Sequence, residues 1–203
     1  MNPALTALVV HDLKNALGHL EAGLAQLELD PSKDQARRAH QQCRELRQRF
    51  VMFLTLYGAQ GQEMQAWRTD ESPMDFLQGL ARRVLAPEGA VPLAVAECPQ
   101  APPVWFFDPR LVGLALEAAL HNAWRFARTR ITLGARRDGE HLVLWIEDDG
   151  PGLGAEDPGA EHSTGLGTEL CRAVARAHGQ GTLAGEVKLF NAPQGGARFE
   201  LWL

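Results

Sequence analysis

The chain has no long apolar run and no surplus of positive charge, and these two absences remove several classes of function at once. No stretch approaches the roughly 20 consecutive apolar residues that a bilayer-spanning helix needs. Residues 1–10 also lack the charged start of a secretory signal, so a soluble cytoplasmic protein with no membrane segment is expected. Twenty Lys and Arg are set against 25 Asp and Glu, for a formal net charge of −5. The basic residues are dispersed, which gives no electrostatic reason to expect nucleic acid or an anionic membrane surface as partner. Cysteine is scarce too: Cys43, Cys98 and Cys171 share no metal-ligand spacing and, being three, cannot all pair. Reduced thiols in a cytosolic protein are the simplest account, with Cys43 expected in a helical core.

What the chain does have is length enough for two small units, each with its own core. Residues 1–60 read as helix, whereas 61–203 alternate helical and strand patterns around Gly- and Pro-bearing turns, so a boundary is expected near Gly58 to Gln62. In the first unit Leu13, Leu17, Leu20, Leu24 and Leu27 share one stripe of a helix that Asp30-Pro31-Ser32 stops. A second helix over about Lys33 to Tyr57 carries Ala36, Ala39, Cys43, Leu46, Phe50, Phe53 and Tyr57 at alternating spacings of three and four. Two such helices form a hairpin, and pairing of two chains into a four-helix bundle buries what one hairpin leaves wet; a homodimer is expected.

The second unit reads as α+β. Strands are expected at Met64 to Thr69, Val91 to Ala96, Arg130 to Arg137, His141 to Glu147, Thr182 to Leu189 and Ala197 to Leu203. Helices are expected over Pro73 to Leu85, from Asp108-Pro109 to beyond Asn122, and over Gly167 to His178. The layout suits an α/β sandwich, with an antiparallel or mixed sheet covered by helices on one face.

Chemistry-bearing residues fall in both units. With Leu13, Leu20 and Leu27 at a-positions, His11 points away from the seam and Asn15 lies one turn on. A solvent-presented imidazole is substantially neutral near neutral pH, as a nitrogen nucleophile must be, and Asp12 can orient it or accept its proton. Such a pair alone is ordinary solvated surface; the motifs that follow change its weight. Asn122 is a poor helix former placed inside a helix, and a single side-chain carbonyl is an adequate ligand for Mg2+, which fills its sphere with water and phosphate oxygens. Arg125 can contact phosphates and Phe126 can pack on adenine. In Asp148-Asp149-Gly150-Pro151-Gly152, Gly150 and Gly152 permit a tight turn at a strand end, where Asp148 can accept from the adenine amino group. Gly165-Leu166-Gly167 opens a helix whose free amides can face phosphate oxygens.

Together these residues resemble the transmitter core of sensor histidine kinases. His11-Asp12-Leu13-Lys14-Asn15 looks like the phosphoacceptor box, Asn122-Ala123 with Arg125-Phe126 the N box, Asp148 to Gly152 the G1 box, and Gly165 to Gly167 the G2 box. The resemblance implies a dimerisation and histidine-phosphotransfer domain followed by a Bergerat-type ATP-binding domain. It implies His11, Asp12 and Asn15 as catalytic residues, ATP and Mg2+ as cofactors, and the receiver domain of a response regulator as partner. Some positions depart from the family pattern. Ala118 stands one turn before Asn122 where a polar residue is usual, Ser163-Thr164 precedes the G2 core where Gly is common, and Asp149 replaces a frequent Asn. Only the twelve residues Leu153 to Thr164 separate the two glycine boxes, and none is aromatic. Ten residues precede His11 and no sensor domain is present, so the chain is a piece of a larger sensor or a stand-alone protein. The expected function is a protein-histidine kinase; a histidine phosphotransferase or phosphatase with a kinase-like fold and a weakened ATP site is the alternative.

Overall fold

The computed structural model describes residues 3–58, 64–87, 89–154, 165–179 and 183–203. The chain divides into two compact units, residues 1–62 with 162–166, and residues 63–161 with 167–203. Of the boundary expected between them, Gly58 ends a helix and 59–62 lie outside the described residues.

The first unit is a hairpin of α1 (Pro3–Leu29) and α2 (Lys33–Gly58). Pro31 lacks a backbone N–H and biases Asp30 away from helical geometry, so the chain turns there. Ala36 N then donates to Ser32 O (2.9 Å) as α2 begins. Val9, Leu13, Leu20, Ala39 and Leu46 form the buried seam, with Ala16, Met52, Phe53 and Leu56 packed against it. Five residues expected in that seam are not in it: Ala36 is exposed, and Leu17, Leu24, Phe50 and Tyr57 are 43%, 45%, 40% and 51% exposed. Cys43, expected in the core, is exposed as well. Two helices share one contact face, and residues on the flanks of each apolar stripe stay wet unless a further element covers them.

The second unit contains five helix-facing strands and a small separate ribbon. Strand β1 (Thr69–Glu71) pairs antiparallel with β3 (Trp105–Phe107). The main sheet runs β2 (Leu93–Val95), β4 (Ile131–Asp138), β5 (His141–Asp148), β7 (Ala197–Trp202), β6 (Glu186–Asn191). β2 is parallel to β4 and the other neighbours are antiparallel. The first strand thus begins where Met64 to Thr69 was expected to end, and Trp105–Phe107 was not expected at all. Each is three residues long and exists through its partner, a pairing that local pattern does not encode. The strand expected from Thr182 begins at Glu186; 180–182 lie outside the described residues.

Alternation gives the main sheet two unlike faces, although Val143 is buried on the face it shares with Arg136 and Trp202. Ile131, Leu133, Ala135, Leu142, Leu144, Ile146 and Leu201 are buried on the face that carries α3 (Pro73–Arg83), α4 (Pro109–Phe126) and α5 (Leu166–His178). On the other face Arg198 lies over the Trp145 ring, Lys188 over that of Trp202, and Glu200 accepts from Arg136, Arg198 and Trp202. Long cationic side chains here cover aromatic surface that no helix covers.

The helices are set by caps. Ser72 accepts from Asp75 N at the start of α3. Asp108 is buried and does more: Oδ1 accepts from Arg110 N and Leu111 N (both 3.0 Å), capping α4, and Oδ2 accepts from Trp67 N (3.0 Å). Its own N–H donates to His178 Nε2 (3.0 Å) near the end of α5, while His178 Nδ1–H donates to Val174 O (2.7 Å). Arg68 donates to the carbonyls of Ala177 and Gly179 on either side of His178. Burial, with Arg68 nearby, lowers the His178 pKa and keeps the ring neutral. The beginning of α4 is thereby tied to the end of α5, which fixes the two helices that carry the second group of candidate residues. Between them Cys171 Sγ–H donates to Ala115 O (3.3 Å), and burial pushes that thiol up to about 12.

Candidate functional site

His11 lies on α1 with its side chain 68% exposed. Its Nδ1 is 3.5 Å from Asp12 Oδ1 and 3.3 Å from Asn15 Nδ2. One neighbour accepts and the other donates, so the ring tautomer decides which bond forms. Either way the contacts fall on Nδ1, and among the described residues Nε2 makes no hydrogen bond. The helix accounts for this geometry, since Asn15 follows His11 by one turn.

The glycine- and asparagine-bearing motifs of the second unit meet along one stripe of α4, Ala118, Asn122 and Phe126. At one end, a Cβ on Gly167 in the first turn of α5 would sit 3.4 Å from Ala118 Cβ. At the other, Gly150 lies so close to the Phe126 carbonyl that any Cβ there would overlap it. Asn122 is exposed between them. Arg125 places its guanidinium 5.7 Å from the Phe126 ring centroid. Gly165, exposed with φ of +68°, immediately precedes α5 and has nothing within 4 Å of where a Cβ would stand.

The two adjacent carboxylates have separate tasks. Asp148 is buried, and its Oδ1 accepts from Gly150 N (2.9 Å) and Ala197 N (3.3 Å), which leaves Oδ2 without a protein donor among the described residues. Asp149 turns the opposite way, onto the loop after α4. Its Oδ1 accepts from Arg128 N (2.9 Å), Thr129 N (3.0 Å) and Arg130 N (3.3 Å), and its Oδ2 from the Thr129 hydroxyl. The Thr129 hydroxyl first, then these amides, hold the Asp149 carboxyl well below the usual carboxylate range. An acceptor-only group suits a site that offers four donors, which explains the carboxylate at this position.

Sequence reasoning missed the turn that backs this loop. Asn191 Oδ1 accepts from Leu153 N (2.6 Å), Gly196 lies against the Asp148 carbonyl, and Ala197 reaches the Asp148 carboxylate. Residues 190–196 fall between the strands expected at Thr182 to Leu189 and Ala197 to Leu203, and none of the motifs includes them. The signal was there in Gly195-Gly196, both at positive φ (+93° and +88°), a backbone that few other residues adopt. Of the segment Leu153 to Thr164 between the glycine boxes, residues 155–164, including Ser163-Thr164, lie outside the described residues.

The arrangement offers an acceptor at a strand end and free amides at a helix start, groups that can chemically meet a base and phosphates. Residues 107–203 match the family of histidine kinase-, DNA gyrase B- and HSP90-like ATPases. The chain is similar to the sensor histidine kinase CpxA of Escherichia coli K12, with 28% identity over 52% of this chain and 25% of that protein. It is similar to the sensor protein KdpD of the same strain, with 29% identity over 98% of this chain and 24% of KdpD. It therefore spans about a quarter of the length of these curated relatives. In fold it resembles the Acinetobacter baumannii histidine kinase AdeS, with a TM-score of 0.67 and 19% identity, covering 95% of this chain and 96% of that one. No helix among the described residues is long and apolar enough to cross a membrane. Residues 107–203 thus form an ATPase domain of the histidine kinase, DNA gyrase B and HSP90 type, and the chain as a whole, helical hairpin included, shares its fold with a histidine kinase.

Proposed function

We propose that the chain is a two-component protein-histidine kinase that takes the γ-phosphoryl group of Mg-ATP onto His11 and passes it to an aspartate of a response-regulator receiver domain in the cytoplasm. The observation that carries this reading is the setting of His11, whose Nδ1 faces Asp12 and Asn15 while Nε2 is left open. With Nδ1–H donated to the Asp12 carboxylate, the lone pair resides on Nε2. Nε2 attacks the γ-phosphorus, an N–P bond forms, the bond from that phosphorus to the bridging oxygen breaks, and ADP leaves with the electron pair. The ring then gives its Nδ1 proton to Asp12. In the onward step an aspartate oxygen attacks the same phosphorus, the N–P bond breaks, and a proton returns to the ring. Asn15 orients the water that removes phosphate from the receiver.

In the second unit Asp148 Oδ2 accepts from the adenine amino group and Phe126 packs on the base. Arg125 and the amides at Gly165 and Gly167 meet phosphate oxygens, with Gly150 and Gly152 shaping the turn. The exposed side-chain oxygen of Asn122 fits a magnesium ion that keeps water and phosphate oxygens as its other ligands. No group of three His, Cys, Asp or Glu among the described residues offers a richer cage. Bound there, the ion neutralises charge on the phosphates. We assign residues 1–60 to dimerisation and phosphotransfer and 61–203 to ATP binding. A second copy of the hairpin covers the exposed repeats Val10, Leu17, Leu24 and Cys43, Phe50, Tyr57, which recur every seven residues.

One observation favours a second reading, a phosphotransferase fed by receivers. Ala118 is buried and abuts Gly167, so the position one turn before Asn122 packs rather than offering a polar group. Incubation with γ-labelled Mg-ATP separates the two. Acid-labile, base-stable label on the wild type, lost in His11→Ala and in Asn122→Asp, establishes the kinase. A folded wild type that takes no label from ATP, yet accepts it at His11 from a phosphorylated receiver, establishes the relay.

A further inference from the structure

We infer that Asn191 is a positioning residue for the nucleotide site, holding the Asp148 to Leu153 turn in the shape that presents the free oxygen of Asp148 to a base. The inference rests on the reading of that turn as part of an ATP site. Asn191 is the last residue of β6 and has no place in the stripe of α4 that gathers the other motifs. Its Oδ1 nevertheless accepts from Leu153 N at 2.6 Å, at the exit of the turn. It gets there because Gly152, at φ of +83°, has no side chain; a Cβ on Gly152 would stand 2.6 Å from the same oxygen.

The entrance of the turn is held by the same connection. Gly196 carries its backbone against the Asp148 carbonyl, its own carbonyl accepts from Ala192 N (3.0 Å), and Ala197 N donates to Asp148 Oδ1 (3.3 Å). The β5–β7 register ends at Glu147 with Arg198, so beyond it Asp148 has a ladder partner on the β4 side only, Ile131. What holds Asp148 on the β7 side is therefore this turn-to-turn contact. Asn191 is the side-chain clasp at the exit of the turn, as the Asp148 carboxylate is at its entrance, and it acts on the base through Asp148 without touching the nucleotide. Loss of the clasp frees the exit of the turn and weakens base binding, while the buried core is untouched.

The test uses the whole chain with wild type, Asn191→Ala and Asn191→Asp, the last keeping an acceptor at the same reach. Mg-ADP and adenosine are titrated by calorimetry, and exchange of the Leu153 amide is followed in the nucleotide-free protein. Asn191→Ala is expected to weaken both ligands on the order of five- to tenfold, the worth of one hydrogen bond, and to speed Leu153 exchange at an unchanged Tm. Asn191→Asp is expected to restore slow exchange and adenosine affinity, adenosine being blind to the added charge. A wild type that binds Mg-ADP with Asn191→Ala equal to it in affinity overturns the positioning role alone. A folded wild type that binds neither ligand overturns the ATP site and the positioning role together.

Discussion

The hairpin and the sheet unit use opposite means to present reactive groups. In the hairpin, the candidate nucleophile is a single exposed side chain, and its partners Asp12 and Asn15 stand on the same helix within one turn. In the sheet unit, the candidate site is assembled from backbone: Gly150 against Phe126, Gly167 against Ala118, Gly196 against Asp148. The cores differ in the same sense. The hairpin buries a narrow seam and leaves Val10, Leu17, Leu24, Phe50, Leu54 and Tyr57 exposed, whereas the sheet unit buries whole faces of β4, β5 and α4. A site made of one helix turn tolerates a loosely covered scaffold. A site made of close backbone approaches needs a rigid one.

Core truncation sharpens this contrast most. Leu144 is fully buried in β5, and Leu144→Ala is expected to cost about 2–5 kcal/mol in urea unfolding of the sheet unit. Leu29, 83% exposed and outside the repeats assigned to a second copy, is expected to cost under about 1 kcal/mol when cut to Ala, because little surface is lost from the core of the hairpin. Equal costs would erase the difference between the two scaffolds. Next in size is the effect of charge on the exposed repeat. Leu24→Lys is expected to shift the chain from dimer to monomer in analytical ultracentrifugation, while Mg-ADP affinity stays within about twofold. A dimer that persists at the same concentration removes the exposed repeats as the covered face.

The same contrast explains what could be read from sequence. His11, Asp12 and Asn15 are neighbours through helix periodicity alone, so their juxtaposition was legible before any coordinates. The spans of β4, β5 and β7 followed from local pattern, and the start of α4 from Asp108 followed by proline. What failed depends on distance along the chain. Which half of each leucine stripe is buried is set by the rotation of two helices about each other, and so Cys43, Leu17 and Phe50 were misplaced. The ribbon of β1 and β3 joins Thr69 to Phe107, and Asn191 meets Leu153 across 38 residues. No local pattern marks such pairs, although the positive-φ glycines on either side of Leu153 announce that some backbone must come close there.

Removal of the Asp149 clasp comes third. Asp149→Ala strips acceptors from three amides and a hydroxyl on the loop after α4. Because the group is partly solvated, a loss of about 1–2 kcal/mol at neutral pH is expected. Its folded pKa is depressed from the ordinary 3.8, with the Thr129 hydroxyl as the leading cause. The unfolded chain therefore binds the proton more readily, and the stabilisation is complete above 3.8 and lost as pH falls below it. Stability curves of wild type and Asp149→Ala measured against pH are expected to run parallel above that value and converge in acid. A constant gap through the acid range would show that the carboxylate is not what holds the loop.

The smallest effect at neutral pH belongs to His178, and it tests whether the rigidity of the sheet unit has a weak point. The ring is buried, donates to Val174 O and accepts from Asp108 N, so both nitrogens are used in the neutral form. A second proton would have to replace the Asp108 N–H at Nε2 with a donor facing a donor. Of the charged groups nearby, Arg68 opposes protonation and Asp108, itself paired with Arg110, favours it; burial is the largest influence and lowers the pKa from 6.5. The unfolded chain thus takes up the proton first, so stability is flat above pH 6.5 and declines as pH falls through the window below it. Urea midpoints followed downward from neutral pH are expected to fall more steeply for wild type than for His178→Gln, which has no proton to gain. If the two slopes match, the tie between α4 and α5 is indifferent to protonation of His178, and the sheet unit is as rigid in mild acid as at neutrality.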